Sequence, residues 1–447
     1  MASTKNMTTG SPARLIFTFA LPLMVGNIFQ QMYTVVDTIV VGNALGINAL
    51  AAIGNGSWLD WLVLSMIQGF AQGFCIQLAQ DFGAEDYAHL RKTYATSLFL
   101  SGICAVTILV LSLIGMAPVL RLMNTPEEIL PLSKAYLGVI FAGIPIVMSY
   151  NLFAAVLRSL GDSKTPLRAM IIASFTNIVL DLLFVMVFHW GVAGAALATI
   201  TGQGLSAVIC FRAVRHIDVL RLEKEELRIS KKIAARLMKL ATPFAFQNVI
   251  ISIGGLVVQF VINGLGVLYI AGFTATNKMY GILEIAASSY GFAMTTYTGQ
   301  NLGAGEFKRI DRGTHSGAVM GVCTAAVISI VMFIFGRTIL SGFVSGDPTE
   351  VAATVDIAYH YLCIMAAFLP VLYILYVYRS SLQGLGDTVM PMVSGAAELV
   401  MRIGTILVLP LLIGEEGLFW AEITAWIGAD FVLTSSYYVR MHRLKKA

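Results

Sequence analysis

Charge is what this sequence most conspicuously lacks. Only 12% of its 447 residues are Asp, Glu, Lys or Arg, while 57% are hydrophobic, against about 25% charged in soluble domains. That balance excludes a water-soluble globule. No charge interrupts the run from Thr93 to Leu120, nor the run from Leu240 to Asn277, and about 20 apolar residues suffice to cross a bilayer core. The first run is therefore one span, and the second is two spans folded about Asn263-Gly264-Leu265-Gly266. Cysteine is also scarce. Cys75, Cys104, Cys210, Cys323 and Cys363 all fall inside predicted spans without paired spacing, so neither a disulfide framework nor a metal site is expected. There is no Gly-x-x-x-x-Gly-Lys phosphate loop, which removes ATP-driven pumping. No metal-ligand or nucleophile constellation stands out, so the chain is not read as an enzyme and no cofactor beyond a coupling ion is expected.

What is present is a succession of apolar stretches. Spans are predicted at 14–41, 50–79, 94–120, 131–157, 166–188 and 191–211, then, after a polar break, at 240–263, 269–298, 313–342, 355–378, 391–413 and 417–439. The fold class is an all-α polytopic membrane protein of twelve transmembrane helices. Lys and Arg are retained on the cytoplasmic side during insertion, and 24 of the 29 lie at the termini or in even-numbered connections. Both termini are thus expected in the cytoplasm of a cell-membrane protein. The net charge of +4 reads as topology, with no nucleic-acid partner implied. The first thirteen residues are short and polar ahead of a long span, which fits an uncleaved first helix.

The sequence repeats itself at an offset of about 220 residues, as transporters commonly do. Leu21-Pro22 and Asn27 match Thr242-Pro243 and Asn248. Gly83-Ala84 matches Gly303-Ala304, Pro145 matches Pro370, and Leu160-Gly161-Asp162 with Pro166 matches Leu385-Gly386-Asp387 with Pro391. Corresponding segments start on the same side of the membrane, so the repeat is parallel. Two pseudo-symmetric six-helix bundles around a central cavity are expected, as an N-terminal lobe 1–211, a cytoplasmic linker 212–239 and a C-terminal lobe 240–447 with a short basic tail. Within the linker, apolar residues interspersed among Arg, Lys and Glu suggest an amphipathic tether on the membrane surface.

An ionised carboxylate at the centre of a span costs about 2.5 to 3.5 kcal/mol on insertion scales, so acids there are functional candidates. Asp37 lies in the first span, about 8 Å below its outer end near Gly42. Asp181 follows Asn177 at i+4 on the fifth span, which puts both on one helix face, and Thr199 enters from the same outer end on the sixth. Two carboxyls, an amide and a hydroxyl suit a proton or Na+, because oxygen ligands match a hard cation and neighbouring carboxyls exchange protons readily. No other metal is expected. The second half offers only Gln259 near the position equivalent to Asp37, so coupling is expected in the first half.

Tyr33, Gln259, Glu284, Glu398 and Arg402 are candidates for a substrate cavity. Glu398 and Arg402 stand at i, i+4 and are expected to neutralise each other. Pro22 in the first span and Pro243 in the seventh permit helix bending. Asp162 and Asp387 are expected to cap the helices that carry Pro166 and Pro391 in their first turns. Gly191, Gly194, Ala198 and Gly202 form a strip for close packing.

Taken in order, Leu21-Pro22-Leu-Met, Val36-Asp37-Thr-Ile-Val-Val-Gly42, Arg158-Ser-Leu-Gly-Asp162, Asn177-Ile-Val-Leu-Asp181, Gln300-Asn-Leu-Gly-Ala304 and Gly384-Leu-Gly-Asp387 resemble the multidrug and toxic compound extrusion (MATE) transporters over essentially the whole chain. The resemblance implies a two-lobe fold of twelve helices and antiport, in which cationic or amphipathic organic compounds leave in exchange for H+ or Na+ by alternating access. It is nearest to the DNA-damage-inducible (DinF-like) type, whose coupling residues map onto Asp37, Asn177, Asp181 and Thr199. Another branch uses an acid early in the seventh helix, where this chain has Gln247 and Asn248. The implied partners are small organic cations and the lipid bilayer, with the chain acting as a monomer. The alternative is a lipid or lipid-linked saccharide flippase of the same superfamily. That reading calls for a strongly basic cavity, whereas the spans hold few cations beyond Lys278 and Arg402.

Overall fold

The computed structural model describes residues 4–123, 125–223, 226, 228–262, 264–265, 267–343 and 348–446. Asn263 and Gly266 of the expected turn lie outside the described residues. The described secondary structure is helical throughout: α1 (Pro12–Leu45), α2 (Ile47–Gly83), α3 (Tyr87–Leu122), α4 (Leu130–Ala142), α5 (Ile144–Ser159), α6 (Lys164–Asp181), α7 (Gly191–Arg215), α8 (Lys231–Ile262), α9 (Val267–Gly303), α10 (Phe307–Ser341), α11 (Pro348–Gly384), α12 (Val389–Ile413) and α13 (Ala421–Lys446). A π-helical turn (Leu182–Val187) extends α6, and a 3-10 segment (Gly414–Trp420) joins α12 to α13.

Thirteen helices make twelve crossings because α4 and α5 are one span, bent by 47° at Gly143. A Cβ at Gly143 would sit 2.3 Å from Ile200 of α7, so the bend is seated against that helix by the missing side chain. Among the described residues nine stretches are long and apolar enough to cross a membrane, or ten with the bent pair. The stretch 389–446 counts once there but holds both α12 and α13, and α9, with Asn277, Lys278 and Glu284 diluting its middle, completes the twelve.

Several helices outrun the apolar spans. α9 continues to Gly303 and α11 to Gly384, while α8 begins at Lys231. A helix does not end where the bilayer does; it ends where turn chemistry stops it. The turns recur with the repeat. Gly161 (φ 87°) and Gly386 (φ 77°) both take the left-handed conformation that glycine allows. The following aspartates act as expected: Asp162 Oδ1 accepts from the Lys164 and Thr165 N–H groups at 3.0 Å, and Asp387 Oδ1 from the Met390 N–H at 3.1 Å.

Contacts divide the chain into two compact units. The first takes the residues up to Asn6 and Leu21–Ala245; the second takes Met7–Ala20 and the chain from Phe246 onward. Of the three points where the chain passes between units, the one at Asn6 precedes α1, and the other two fall inside helices, beside Pro22 in α1 and Pro243 in α8.

In the first unit α2, α5 and α7 are central, with α3, α4 and α6 packed on them. α8 crosses α2 at very close range, since a Cβ on Gly73 would lie 2.3 Å from Ala241 Cα and one on Gly69 2.5 Å from Ala245 Cα. Small residues at such crossings let backbones touch where lipid supplies no hydrophobic drive. The α7 strip behaves similarly at Gly202, where a Cβ would come within 3.2 Å of the Ala173 carbonyl on α6.

In the second unit α9 and α11 pack along each other with α10 against both, and α12 and α13 form a pair that α11 joins through α13. Its interior is rich in aromatics, with Tyr290, Tyr297, Tyr361, Tyr373, Tyr437 and Trp426 fully buried.

The segment between α7 and α8 is shorter than a 212–239 linker, because both helices extend into that range. Ile217 and Leu220 are buried in the first unit, and Glu226 is held by Arg91 of α3. Burial pushes the Glu226 carboxyl up, but the Glu223 N–H and the Arg91 guanidinium outweigh it and leave its pKa below the ordinary glutamate value.

Candidate functional site

α1 and α6 bring the Asp37 and Asp181 carboxyls within hydrogen-bonding range of each other in the first unit. Two carboxylates offer only acceptors, so a bond between them forms when one of them holds a proton. Asp181 is fully buried, and the Oδ1 atoms of both residues are buried without a hydrogen-bond partner. The pair can therefore take positive charge from outside the protein.

Asn177, one turn before Asp181 and also buried, satisfies its amide in one orientation. Its nitrogen then donates to Asp181 Oδ2 at 3.0 Å and its oxygen accepts from the Thr199 N–H at 3.2 Å. The Thr199 hydroxyl donates to the Ala195 carbonyl at 3.2 Å. The four residues expected at the coupling site thus form one chain of contacts across α1, α6 and α7. The close approach at Gly202 sets the α6–α7 spacing that lets Asn177 reach Thr199. The π-helical turn starts at the residue after Asp181, a departure from regular helix that often marks functional positions.

Tyr33 stands one turn before Asp37 and lines a narrow cleft with Gln30, Tyr150, Asn177, Thr199 and Gln203. It is also within electrostatic reach of Asp60 on α2, as is Tyr136. Asp60 was not among the sequence candidates, although the rule that singled out Asp37 applies to it equally, since it falls inside the second predicted span.

The second unit gathers Glu284, Glu398 and Arg402, but with different partners from those expected. The i, i+4 pairing of Glu398 with Arg402 does not form. Glu398 is engaged by Arg379 of α11, and Arg402 donates to Glu422 of α13 at 2.6 Å. The two residues share a face of α12, yet each side chain is drawn to a different neighbouring helix. Glu284 accepts from the Tyr376 hydroxyl. Gln259 is partly buried on α8. Gln247, at the place where another branch carries an acid, is buried and accepts from Gln383 at 3.1 Å.

Sequence reading also missed Arg379, Glu422 and Asp430. Arg379 fell just past the predicted end of the tenth span, and Glu422 and Asp430 are acids within the twelfth that the same insertion-cost rule marks.

A multi-pass helical membrane protein with a doubled helical plan and a carboxyl pair contributed by two of its apolar helices has the architecture of the secondary transporters. The profile of the MatE family matches residues 22–183 and 243–408, and the chain belongs to that family. It is 31% identical over 358 residues, 78% of each chain, to the probable multidrug resistance protein YpnP of Bacillus subtilis (strain 168). It is 27% identical over 354 residues, covering 77% of this chain and 76% of the relative, to the probable multidrug resistance protein YoeA of the same organism. The crystal structure of a MATE protein in complex with MaL6 superposes over 100% of both chains with a TM-score of 0.93 at 22% identity. That likeness establishes the fold, including its twelve helices.

Proposed function

We propose that this chain is a secondary antiporter that exports small organic compounds, cationic or amphipathic in character, in exchange for protons by alternating access. It is a transporter and not an enzyme. The observation that carries the reading is the Asp37–Asp181 carboxyl pair, two acids from different helices within hydrogen-bonding range of each other. The names of the curated relatives, multidrug resistance proteins, support export of small organic molecules.

A proton is favoured over Na+ because two neighbouring carboxyls of like charge share a proton readily, and the Asn177 oxygen already accepts one hydrogen bond, from the Thr199 N–H, in the orientation that satisfies the amide. Inward movement of one charge contributes about 2.3 kcal/mol per 100 mV of membrane potential. Pro22, lying between the coupling site and the point where α1 passes from one unit to the other, is assigned the helix bend that follows protonation of Asp37. The division into lobes 1–211 and 240–447 joined by a tether, cytoplasmic termini and action as a monomer complete the proposal. Within the predicted spans of the second half, Glu284, Asp356, Glu398, Glu422 and Asp430 outnumber Lys278, Arg337 and Arg402, which disfavours a flippase built to hold phosphate.

The test is efflux of a fluorescent organic cation from proteoliposomes under an imposed pH gradient or an imposed Na+ gradient. Export driven by the pH gradient alone supports the proposal. Export driven by Na+ alone overturns the choice of ion, and movement of labelled lipid without drug efflux replaces antiport by the flippase reading.

A further inference from the structure

The turn between α2 and α3 in the first unit and the turn between α9 and α10 in the second are related by the repeat that pairs Gly83-Ala84 with Gly303-Ala304. Their polar side chains differ in kind. In the second unit Arg309 Nε donates to Asn301 Oδ1 at 3.0 Å, and both side chains donate to the Met7 carbonyl, at 3.2 Å from Asn301 and 3.3 Å from Arg309. Tyr297, one turn before Asn301, donates through its hydroxyl to the Arg309 carbonyl at 2.9 Å. Gly313 leaves room for its ring, since a Cβ there would sit 2.1 Å from it. Guanidinium, amide and phenol groups ordinarily keep one charge state near neutral pH.

At the four corresponding positions the first unit has Gln77, Asp81, His89 and Thr93. Asp81 is 6% exposed. Its Oδ1 accepts from Gln77 Nε2 at 2.8 Å, and its Oδ2 accepts from the Thr93 hydroxyl at 2.7 Å and faces His89 Nδ1 at 2.8 Å. An ionised carboxylate only accepts, so Nδ1 carries a hydrogen in this contact. The His89 side chain is 40% exposed, which lets the ring exchange protons with water. The other end of the Gln77 amide is spent on α8, where its Oε1 accepts from Arg236 Nε at 3.3 Å. His89, Asp81, Gln77 and Arg236 thus join α3, α2 and α8 within the first unit, and α8 is the helix that carries the chain on into the second. The second unit builds the same turn without carboxyl or imidazole, so the turn itself does not demand them.

A carboxylate this buried is costly unless a cation or enough donors attend it. Among the described residues His89 is the cationic partner of Asp81. With the ring charged, one of the three bonds is charge-assisted; with it neutral, all three donors are neutral, and such bonds are about half as strong. Histidine is the side chain whose charge ordinarily changes between about pH 5 and 8. The other charged groups on the elements around the pair are Glu85 and Asp86 in the turn, Arg91 and Lys92 on α3, Arg158 at the end of α5, Asp218 in the 3-10 turn after α7, and Arg236. Asp86 is occupied in capping α3 through the His89 N–H at 3.0 Å, and Arg91 is held by Glu226.

We infer that Asp81 and His89 form a second proton-binding site, apart from the Asp37–Asp181 pair, that sets how firmly the start of α8 is held to α2: firmly with the imidazole charged, loosely with it neutral. Loss of the ring's charge opens the buried carboxylate to water and frees Gln77, and with it Arg236. On the topology proposed above this turn is cytoplasmic, so the site responds to cytoplasmic pH. The inference does not depend on the antiport reading.

The experiment is hydrogen exchange read by mass spectrometry on the full-length protein in lipid nanodiscs, without substrate or gradient. Exchange times are matched to intrinsic rates at about pH 5.5 and about pH 8.5, on either side of the histidine range. In the native chain, protection of the α2–α3 turn and of the first turns of α8 is expected to be about fivefold lower at the higher pH, the difference between a charge-assisted and a neutral hydrogen bond. His89→Arg, which installs the permanent charge of the second unit's pair, keeps the high protection at both values. His89→Gln shows the low protection at both. Equal native protection at the two pH values overturns the site, as does a native-like pH dependence in His89→Gln. Protection in His89→Arg as poor as in His89→Gln overturns the role of charge.

Discussion

The carboxyl groups of Asp37 on α1 and Asp181 on α6 lie within hydrogen-bonding range of each other, and one oxygen of each is buried without a partner. Removing the proton from such a pair leaves two like charges at close range, which repel each other. Proton binding is thereby tied to the distance between two helices.

Asn177 is expected to sustain this pair through its bond to Asp181 Oδ2. Asn177→Leu leaves that oxygen without its donor, a loss of about 1 to 3 kcal/mol for a buried acceptor. Gradient-driven efflux should fall by about tenfold or more, as that energy implies, while the amount of folded protein on size-exclusion chromatography is nearly unchanged.

In the second unit, Arg379→Ala strands Glu398 as a buried charge, which costs about 3 to 5 kcal/mol. The double variant Arg379→Met with Glu398→Leu removes both charges and should recover most of that stability. Thermal melting in nanodiscs reads the comparison, and a double variant no more stable than the single would contradict the pairing.

The α2–α8 crossing predicts a contrast between two glycines. Gly73→Val drives side-chain atoms into the Ala241 backbone and is expected to abolish folded protein. Gly102→Ala, with nothing within 4 Å of its new Cβ, should be neutral or stabilising by about 0.5 to 1 kcal/mol, since alanine suits a helix interior better. Yield of monodisperse protein checks both.

Glu226 gives a pH dependence outside the membrane. Its folded pKa lies below the unfolded value, so its contribution is fully present above the unfolded pKa, about 4.3 for glutamate, and is lost as pH falls through the folded value. Hydrogen-exchange protection of the connector before α8, followed at matched exchange rates, should be flat near neutrality and drop in acid. In Arg91→Gln the folded pKa moves up toward the unfolded value, so that drop should shrink.

Much of the fold was legible because membrane insertion imposes simple rules. Twelve apolar stretches, the doubled Leu-Gly-Asp turn and the Asn177–Asp181 spacing follow from bilayer thickness, glycine's freedom at positive φ and helical period. The ends of α9 and α11 were not, because hydropathy reports where lipid stops and not where the helix stops. Arg379 was placed in a connection for that reason, and its bond to Glu398 was hidden with it. The Glu398–Arg402 pairing failed for a related cause: i, i+4 spacing supplies a neighbour, but in a packed bundle a side chain goes to whichever partner the adjacent helix presents. Asp60 and Asp430 were legible as acids in spans and became candidates only when the structure set them beside Tyr33 and Arg379.

The central claim is tested most directly by pH-gradient-driven efflux from proteoliposomes containing Asp37→Asn, alongside the native chain at matched protein content. The account predicts that the native chain exports the cation and the variant, though folded, does not. Efflux by Asp37→Asn at the native rate would show that the Asp37–Asp181 pair is not the coupling site.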